Sequence, residues 1–267
     1  MNALNLTTLN ISINQLLSQP TLLFDNGQNH KIYWLGISEE TAFRCNTYLI
    51  VDGNEAILVD PGNRNYFEFV KSRVKEIIEP DKLKGLVLCH QDPDVAASMI
   101  DWLAFLPQLH IISSDRTNVL LPHYGTANYR FYSIGSDNNF QYKFKSGKSL
   151  EFIEAPFLHF PGAFATLDLE SEFLFSGDIW AALDINWKLV VDDFDDHTMK
   201  LDLFHLDYMA SNIASRGFAL KLKDKNIEAI LPQHGSIIPK EFVIDAIKYL
   251  ENLKCGLDIV YPELNRF

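Results

Sequence analysis

The chain has 267 residues, with 35 acidic side chains against 23 Lys and Arg, giving a formal net charge of −12 at pH 7. That balance argues against nucleic-acid binding through phosphate neutralisation, and no apolar run approaches the ~20 residues needed to cross a bilayer. Apolar residues make up 47% of the chain, enough to build the core of one large domain or two small ones.

The segment Met1-Asn2-Ala3-Leu4-Asn5-Leu6 lacks the basic stretch and apolar run of a secretory signal. Lys31 to Gly36 reads as a strand. Cys45–Val51 and Glu55–Asp60 read as two strands joined by the turn Asp52-Gly53-Asn54, with Pro61-Gly62 ending the second. Tyr66 to Ile78 carries apolar residues at helical spacing. The apolar run Leu83–Leu88 is a buried strand that releases the chain into Cys89-His90-Gln91-Asp92-Pro93-Asp94-Val95. A helix follows over Asp94–Phe105, then a short strand, His110–Ser113.

The second half follows the same order. Ser149–Glu154 is a strand, and Leu158-His159-Phe160-Pro161-Gly162 comes after it. Thr166–Leu169 and Phe173–Ser176 form a β-pair ending at Gly177-Asp178. One long helix is expected within Leu201–Leu222, a strand over Ile227–Pro232 ending at His234-Gly235, and a last amphipathic helix over Lys240–Leu253. No repeat, low-complexity segment or linker interrupts this order, and alternating strands and helices in two halves predict a layered α/β fold.

Six potential metal ligands stand just past strand ends: His90, Asp92, Asp94, His159, Asp178 and His234. Three imidazoles and three carboxylates suffice for two metal ions if one carboxylate bridges. Asp178 is the bridging candidate, because Ser176-Gly177 before it lets the backbone approach closely. A structural zinc site would instead draw mainly on Cys. Mixed imidazole and carboxylate donors suit Fe, Mn or Zn, and more oxygen shifts the preference toward iron or manganese. A lone His-x-Asp-x-Asp also occurs in solvated turns, so it is the four strand-end segments together that carry the reading.

The remaining candidates have blander readings. Cys45, Cys89 and Cys255 are odd in number and far apart, and read as reduced thiols of a cytoplasmic protein, with Cys89 a buried apolar-like residue. His30, His110, His123, His197 and His205 read as surface or packing residues. Asp192-Asp193-Phe194-Asp195-Asp196 lacks the Gly and terminal Glu of a calcium loop and reads as a solvated acidic loop, with docking of a basic partner as the alternative. Tyr48, Phe160, Phe164 and Trp180 read as core aromatics, and the Tyr48 hydroxyl is kept open as a group that could face a metal-bound ligand.

These segments resemble the metallo-β-lactamase superfamily, and within it the diiron branch of flavodiiron proteins and stand-alone oxygen-binding diiron proteins. The likeness runs from about residue 31 to 250. His90-x-Asp92-x-Asp94 is similar to that branch's His-x-Glu-x-Asp rather than to the His-x-His-x-Asp-His of the hydrolases. Leu158-His159-Phe160-Pro161, Phe175-Ser176-Gly177-Asp178 and Gln233-His234-Gly235 match the branch's other segments in order and spacing. The resemblance implies an αββα four-layer sandwich, with His90, Asp92 and His159 on a first iron, Asp94 and His234 on a second, and Asp178 bridging. Two residues depart from the pattern: Val95 stands where a second histidine is expected, and Asp92 is one methylene shorter than Glu.

The resemblance further implies a cytoplasmic protein whose two Fe ions, oxo- or peroxo-bridged, bind O2 and sense oxygen or iron, with coupling to bacterial chemotaxis signalling. Residues 1–267 are expected to form a single diiron domain without a flavodoxin domain, so the built-in electron source of flavodiiron enzymes is missing and binding is favoured over turnover. One alternative is an O2 or NO reductase fed by a separate flavoprotein or rubredoxin. The other is a binuclear metal-dependent hydrolase, in which metal-bound water attacks. Mn or Zn could substitute for the two Fe ions. A homodimer is compatible with each reading.

Overall fold

Each central strand is apolar on both faces, and the computed structural model shows why. It describes residues 18–36, 43–184 and 186–264, so the Met1–Leu6 reading lies outside the described residues. Two sheets pack face to face. The first has seven strands in the order β1 (Thr21–Asp25), β2 (His30–Trp34), β3 (Tyr48–Asp52), β4 (Glu55–Val59), β5 (Leu83–Val87), β6 (His110–Ser113) and β7 (Arg130–Ser133). The second has six, in the order β13 (Ile238–Pro239), β12 (Ala229–Pro232), β11 (Phe173–Gly177), β10 (Phe164–Asp168), β9 (Ser149–Glu154) and β8 (Gln141–Lys143).

Side chains alternate between faces along a strand, and the sandwich uses both sets. From β3 and β4, Tyr48, Ile50, Ile57 and Val59 enter the layer between the sheets, where Phe164, Phe173 and Phe175 meet them. Leu49, Val51, Ala56 and Leu58 face the other way, onto Val70 and Val74 of the helix Phe67–Ile77 and Trp102 of the helix Met99–Phe105. The second sheet does the same with Ala165, Leu167, Leu174 and Ile230, which face Phe204, Phe218 and Ala246 of three covering helices. The result is the expected αββα sandwich. Among the described residues no helix is long and apolar enough to cross a membrane.

The expected elements recur with three corrections. The helix expected over Asp94–Phe105 is two, Pro93–Ala96 and Met99–Phe105. The break is tied to the loop after β4: Ser98 donates its backbone N–H to the Gly62 carbonyl (3.1 Å) and its hydroxyl to that of Pro61 (3.2 Å). The single helix within 201–222 is also two, Phe194–Tyr208 and Asn212–Lys221. Here the Ala210 N–H turns away to the Phe157 carbonyl (3.3 Å), and the Asn212 side-chain amide ties the start of the second helix to the Leu253 carbonyl (2.7 Å). Finally, Asp192–Asp196 is a helix start rather than a solvated loop. Asp193 accepts the Asp196 N–H at 3.1 Å, and Asp195 and Asp196 sit in the first turn, where the helix dipole favours negative charge. Strands β1, β7, β8 and β13, absent from the expectation, lie toward the sheet edges, where one neighbour suffices and the apolar pattern is short.

Candidate metal centre

Strands β4, β5 and β6 run parallel, as do β11 and β12, so the carboxyl ends of β5, β11 and β12 deliver the chain to one edge of the sandwich. His90, Asp92 and Asp94 follow β5, Asp178 follows β11 and His234 follows β12, while His159 comes from the connection between β9 and β10. The approach is tight at Gly177. Its φ is +59°, and a Cβ there would stand 2.7 Å from Cys89 Sγ, so only glycine brings Asp178 in beside the β5 segment.

The six expected residues converge. His159 Nε2 lies 3.0 Å and His90 Nε2 3.3 Å from Asp178 Oδ2. Asp92 Oδ2 lies 3.3 Å from His159 Nε2 and 3.6 Å from His90 Nε2, so the shorter acid still reaches the pair. On the other side His234 Nε2 lies 3.0 Å from Asp94 Oδ2 and 3.5 Å from Asp178 Oδ1. Asp178 thus turns one oxygen to each of two donor groups. Val95 joins neither: it is fully buried in the apolar layer with Leu88 and Met99.

The charges interlock. Burial alone would raise the Asp178 carboxyl, but the His90 charge, the close His159 and His90 ring nitrogens, and the His234 charge hold it well below the usual carboxylate range. Burial opposes charge on His159, yet Asp178 and Asp92 raise its imidazole to about 9. His90 is raised well above its ordinary value, against burial, mainly by the Asp178 charge. Protons therefore occupy the place of cations among these carboxylates. His90 Nε2, His234 Nε2 and Asp178 Oδ1 are buried without a well-directed hydrogen bond, a cost that native interiors rarely carry. Buried imidazole and carboxylate atoms that converge with their bonding unmet fit two divalent ions.

The outward-facing ring atoms are held as metal ligands' usually are. His234 Nδ1 faces the Arg44 carbonyl at 3.3 Å, and His90 Nδ1 lies 3.1 Å from Cys89 Sγ. Cys89, expected to be inert packing, is thus buried but also touches the site. Asp60 accepts the Cys89 N–H (3.1 Å), and burial raises its carboxyl to about 6. His205, expected to be a surface or packing residue, accepts the Trp180 N–H at Nε2 (3.0 Å) and faces the Leu201 carbonyl through Nδ1 (2.8 Å). It steadies the turn after Asp178, and burial lowers its imidazole to about 4. Only a strand-end position marked Asp60, and His205 had no sequence signal at all.

Cys45, expected to be an ordinary reduced thiol, is in fact part of the site: its sulfur, an Asp94 oxygen and a His234 nitrogen lie within 4.8 Å of one another. The donors of His90, Asp92 and His159 form the second such group. The other candidates lie elsewhere. The Tyr48 hydroxyl donates to the Pro232 carbonyl at 2.9 Å, and its ring packs edge-on to Phe175. His30 is buried between Asp52 and Asp168.

The model of the ODP family of β-lactamase-fold proteins matches residues 43–235. A solved structure of the peroxy diiron species of chemotaxis sensor ODP superposes with a TM-score of 0.81, at 32% identity, over 91% of this chain and 99% of that one. The apo state of chemotaxis sensor ODP from T. denticola gives a TM-score of 0.79 at 33% identity, over 93% and 99% of the two chains. Among curated proteins, a nitric oxide reductase of Moorella thermoacetica is 28% identical over 61% of this chain and 42% of its own length. Diflavin flavoprotein A 1 of Synechocystis is 24% identical over 76% and 35%. The chain therefore spans less than half the length of each of these two relatives.

Proposed function

This chain belongs to the ODP family of β-lactamase-fold proteins, and on that premise we propose that it is a diiron protein that binds O2 and reports its presence. The observation that carries the reading is Asp178, whose two oxygens face separate donor groups, Oδ2 toward His90 and His159 and Oδ1 toward His234. In this reading His90, Asp92 and His159 hold one iron, Asp94 and His234 the other, and Asp178 bridges. A ferrous pair so held would supply two electrons and open coordination positions to a diatomic gas. The three carboxylates would offset the charge of the ions.

Aromatic rings line one side of this group. Phe43 lies 3.9 Å from the His234 ring between centroids, Phe204 and Tyr208 lie 5.9 and 6.0 Å from the His159 ring, and these two stack at 4.6 Å. An apolar wall suits a small uncharged ligand better than a charged phosphodiester. With Val95 supplying no ligand and a carboxylate at position 92, the hydrolase reading loses ground. Three buried cysteines without disulfides accord with a reducing cytoplasm, and we take residues 1–267 as one functional unit.

Sensing is favoured over turnover because the likeness extends across nearly all of a solved sensor chain. Anaerobic Fe(II) loading followed by O2 exposure tests this. Two irons per chain and a long-lived visible absorption band are expected, whereas rapid bleaching with repeated O2 consumption would overturn sensing. The second reading, an O2 or NO reductase served by a separate electron donor, is favoured by the kinship with a nitric oxide reductase. Sustained NADH oxidation in a reconstituted chain with a flavoprotein or rubredoxin would establish it. Near-stoichiometric zinc in protein purified without added metal would restore the hydrolase.

A further inference from the structure

The two donor groups around Asp178 are unequal if only the expected residues are counted. One has His90, Asp92 and His159 beside Asp178 Oδ2. The other has only Asp94 and His234 beside Oδ1, because Val95 faces the apolar layer. Within that poorer group, however, stands a sulfur. Cys45 Sγ lies 3.9 Å from Asp94 Oδ2, and the Cys45, Asp94 and His234 donors fall within 4.8 Å of one another.

We propose that Cys45 is a thiolate ligand of the second metal, so that each ion has three protein donors besides the bridging Asp178. The inference rests on the two-metal reading above and deepens it. With bond lengths of about 2.3 Å to sulfur and about 2.0 Å to nitrogen, tetrahedral ligand atoms stand roughly 3.5 Å apart. The observed spacing needs only a small inward movement. His234 points independently to the same position: it is fully buried, and its Nε2 makes no well-directed hydrogen bond.

The backbone holds Cys45 there from both sides. Cys45 and His234 form an isolated antiparallel bridge, so the two candidate ligands are paired across adjacent chain segments. Asn46 donates its N–H to the Gln233 carbonyl at 2.6 Å, and its side-chain amide donates to the carbonyls of Pro232 (3.0 Å) and Gly235 (2.8 Å). Trp34 Nε1 in turn donates to Asn46 Oδ1 at 2.8 Å. The Asn46 side chain thereby fixes the segment that carries Cys45 against the segment that carries His234. Coordination forms an Sγ–metal bond and releases the thiol proton to solvent, with no electron transferred. A soft sulfur donor is compatible with iron and zinc and sets the second position apart from the nitrogen- and oxygen-only first.

The test is anaerobic loading of the full chain with Co(II), read by absorption and by X-ray absorption at the cobalt edge. The expected result is two cobalt ions per chain, a near-ultraviolet sulfur-to-cobalt charge-transfer band, and about one sulfur neighbour per two metals. Cys45→Ser should lose the band and the sulfur neighbour while keeping the visible ligand-field bands, and Cys255→Ser should change neither. Two bound cobalt ions with no sulfur neighbour in the unmodified protein would overturn the proposal and leave the two-metal reading intact. So would a band that survives in Cys45→Ser. Failure to bind two cobalt ions at all would overturn both. The X-ray measurement on the unmodified protein decides the matter even if the variant folds poorly.

Discussion

Two buried clusters of histidine and aspartate sit at opposite ends of the sandwich. His30 lies between Asp52, at the end of β3, and Asp168, at the end of β10. The ligand cluster lies past β5, β11 and β12. Because β3 is antiparallel to β4 and β10 to β11, these strand ends face away from each other. Residue types are the same at both ends, and the arrangement differs. At His30 both ring nitrogens are turned to carboxylates, at 3.1 Å each. Asp168 also accepts the Ser171 N–H and hydroxyl, and Asp52 meets Lys148 at 3.1 Å. At the other end three imidazoles turn their Nε2 atoms inward and bond outward, if at all, through Nδ1. A histidine whose two nitrogens are both engaged holds two sheets together, whereas imidazoles that converge with nitrogens left over have room for something between them.

The sharpest way to break the comparison is to neutralise one aspartate at each end. Asp178→Asn should reduce bound iron from two per chain to one or none by metal analysis, whereas Asp168→Asn should keep both and lose stability instead. Equal metal loss in the two variants would erase the distinction. His30→Ala leaves two buried carboxylates without their common partner and should cost about 3–5 kcal/mol in denaturant unfolding, with metal content per folded chain unchanged.

Proton linkage separates the ends further. The His159 imidazole of the metal-free protein sits at about 9, so near neutral pH a metal must displace its proton. Loading should release protons, and affinity should rise with pH up to about that value, as calorimetry in buffers of different ionisation enthalpy would show. At the His30 end burial favours the neutral ring, but Asp168 and Asp52 overcome it and raise the folded-state value above 6.5. A raised folded value gives stability that is complete below the unfolded value and is lost as pH climbs through the folded one. The Asp52 carboxyl is lowered despite burial, by Ser146, His30 and Lys148, so its share requires a pH above 3.8. The stability gap between wild type and His30→Gln should therefore be widest between these limits and narrow in mild alkali. A gap that grows with pH would contradict the charged clamp. The smallest expected effect is Tyr48→Phe, which removes one buried hydrogen bond to Pro232 and should cost about 1 kcal/mol without changing metal content or the visible spectrum.

Much of this molecule is legible in its sequence. Strands with two apolar faces report burial between layers, and β3, β4, β5, β11 and β12 emerge close to their expected bounds for that reason, while β9 shows itself by alternation, with Leu150 and Phe152 buried between the less buried Ser149 and Glu151. His90, Asp92, Asp94, His159, Asp178 and His234 could be gathered because each follows such a strand, and parallel neighbours send their ends to one edge. The helix breaks at Ser98 and before Asn212 could not be read, because they depend on hydrogen bonds to Pro61, Gly62 and Leu253, which are remote in sequence. The strand end before it marked His234, but nothing local marked His30: the Asp52 and Asp168 carboxylates that hold its ring are brought there by packing. Cys45 is the clearest case. Its own segment offers no second ligand, and the sulfur meets Asp94 and His234 only because Asn46 binds the end of β12. Sequence determined which side chains stand at strand ends; tertiary packing decided which atoms face one another, since that depends on contacts between segments far apart along the chain.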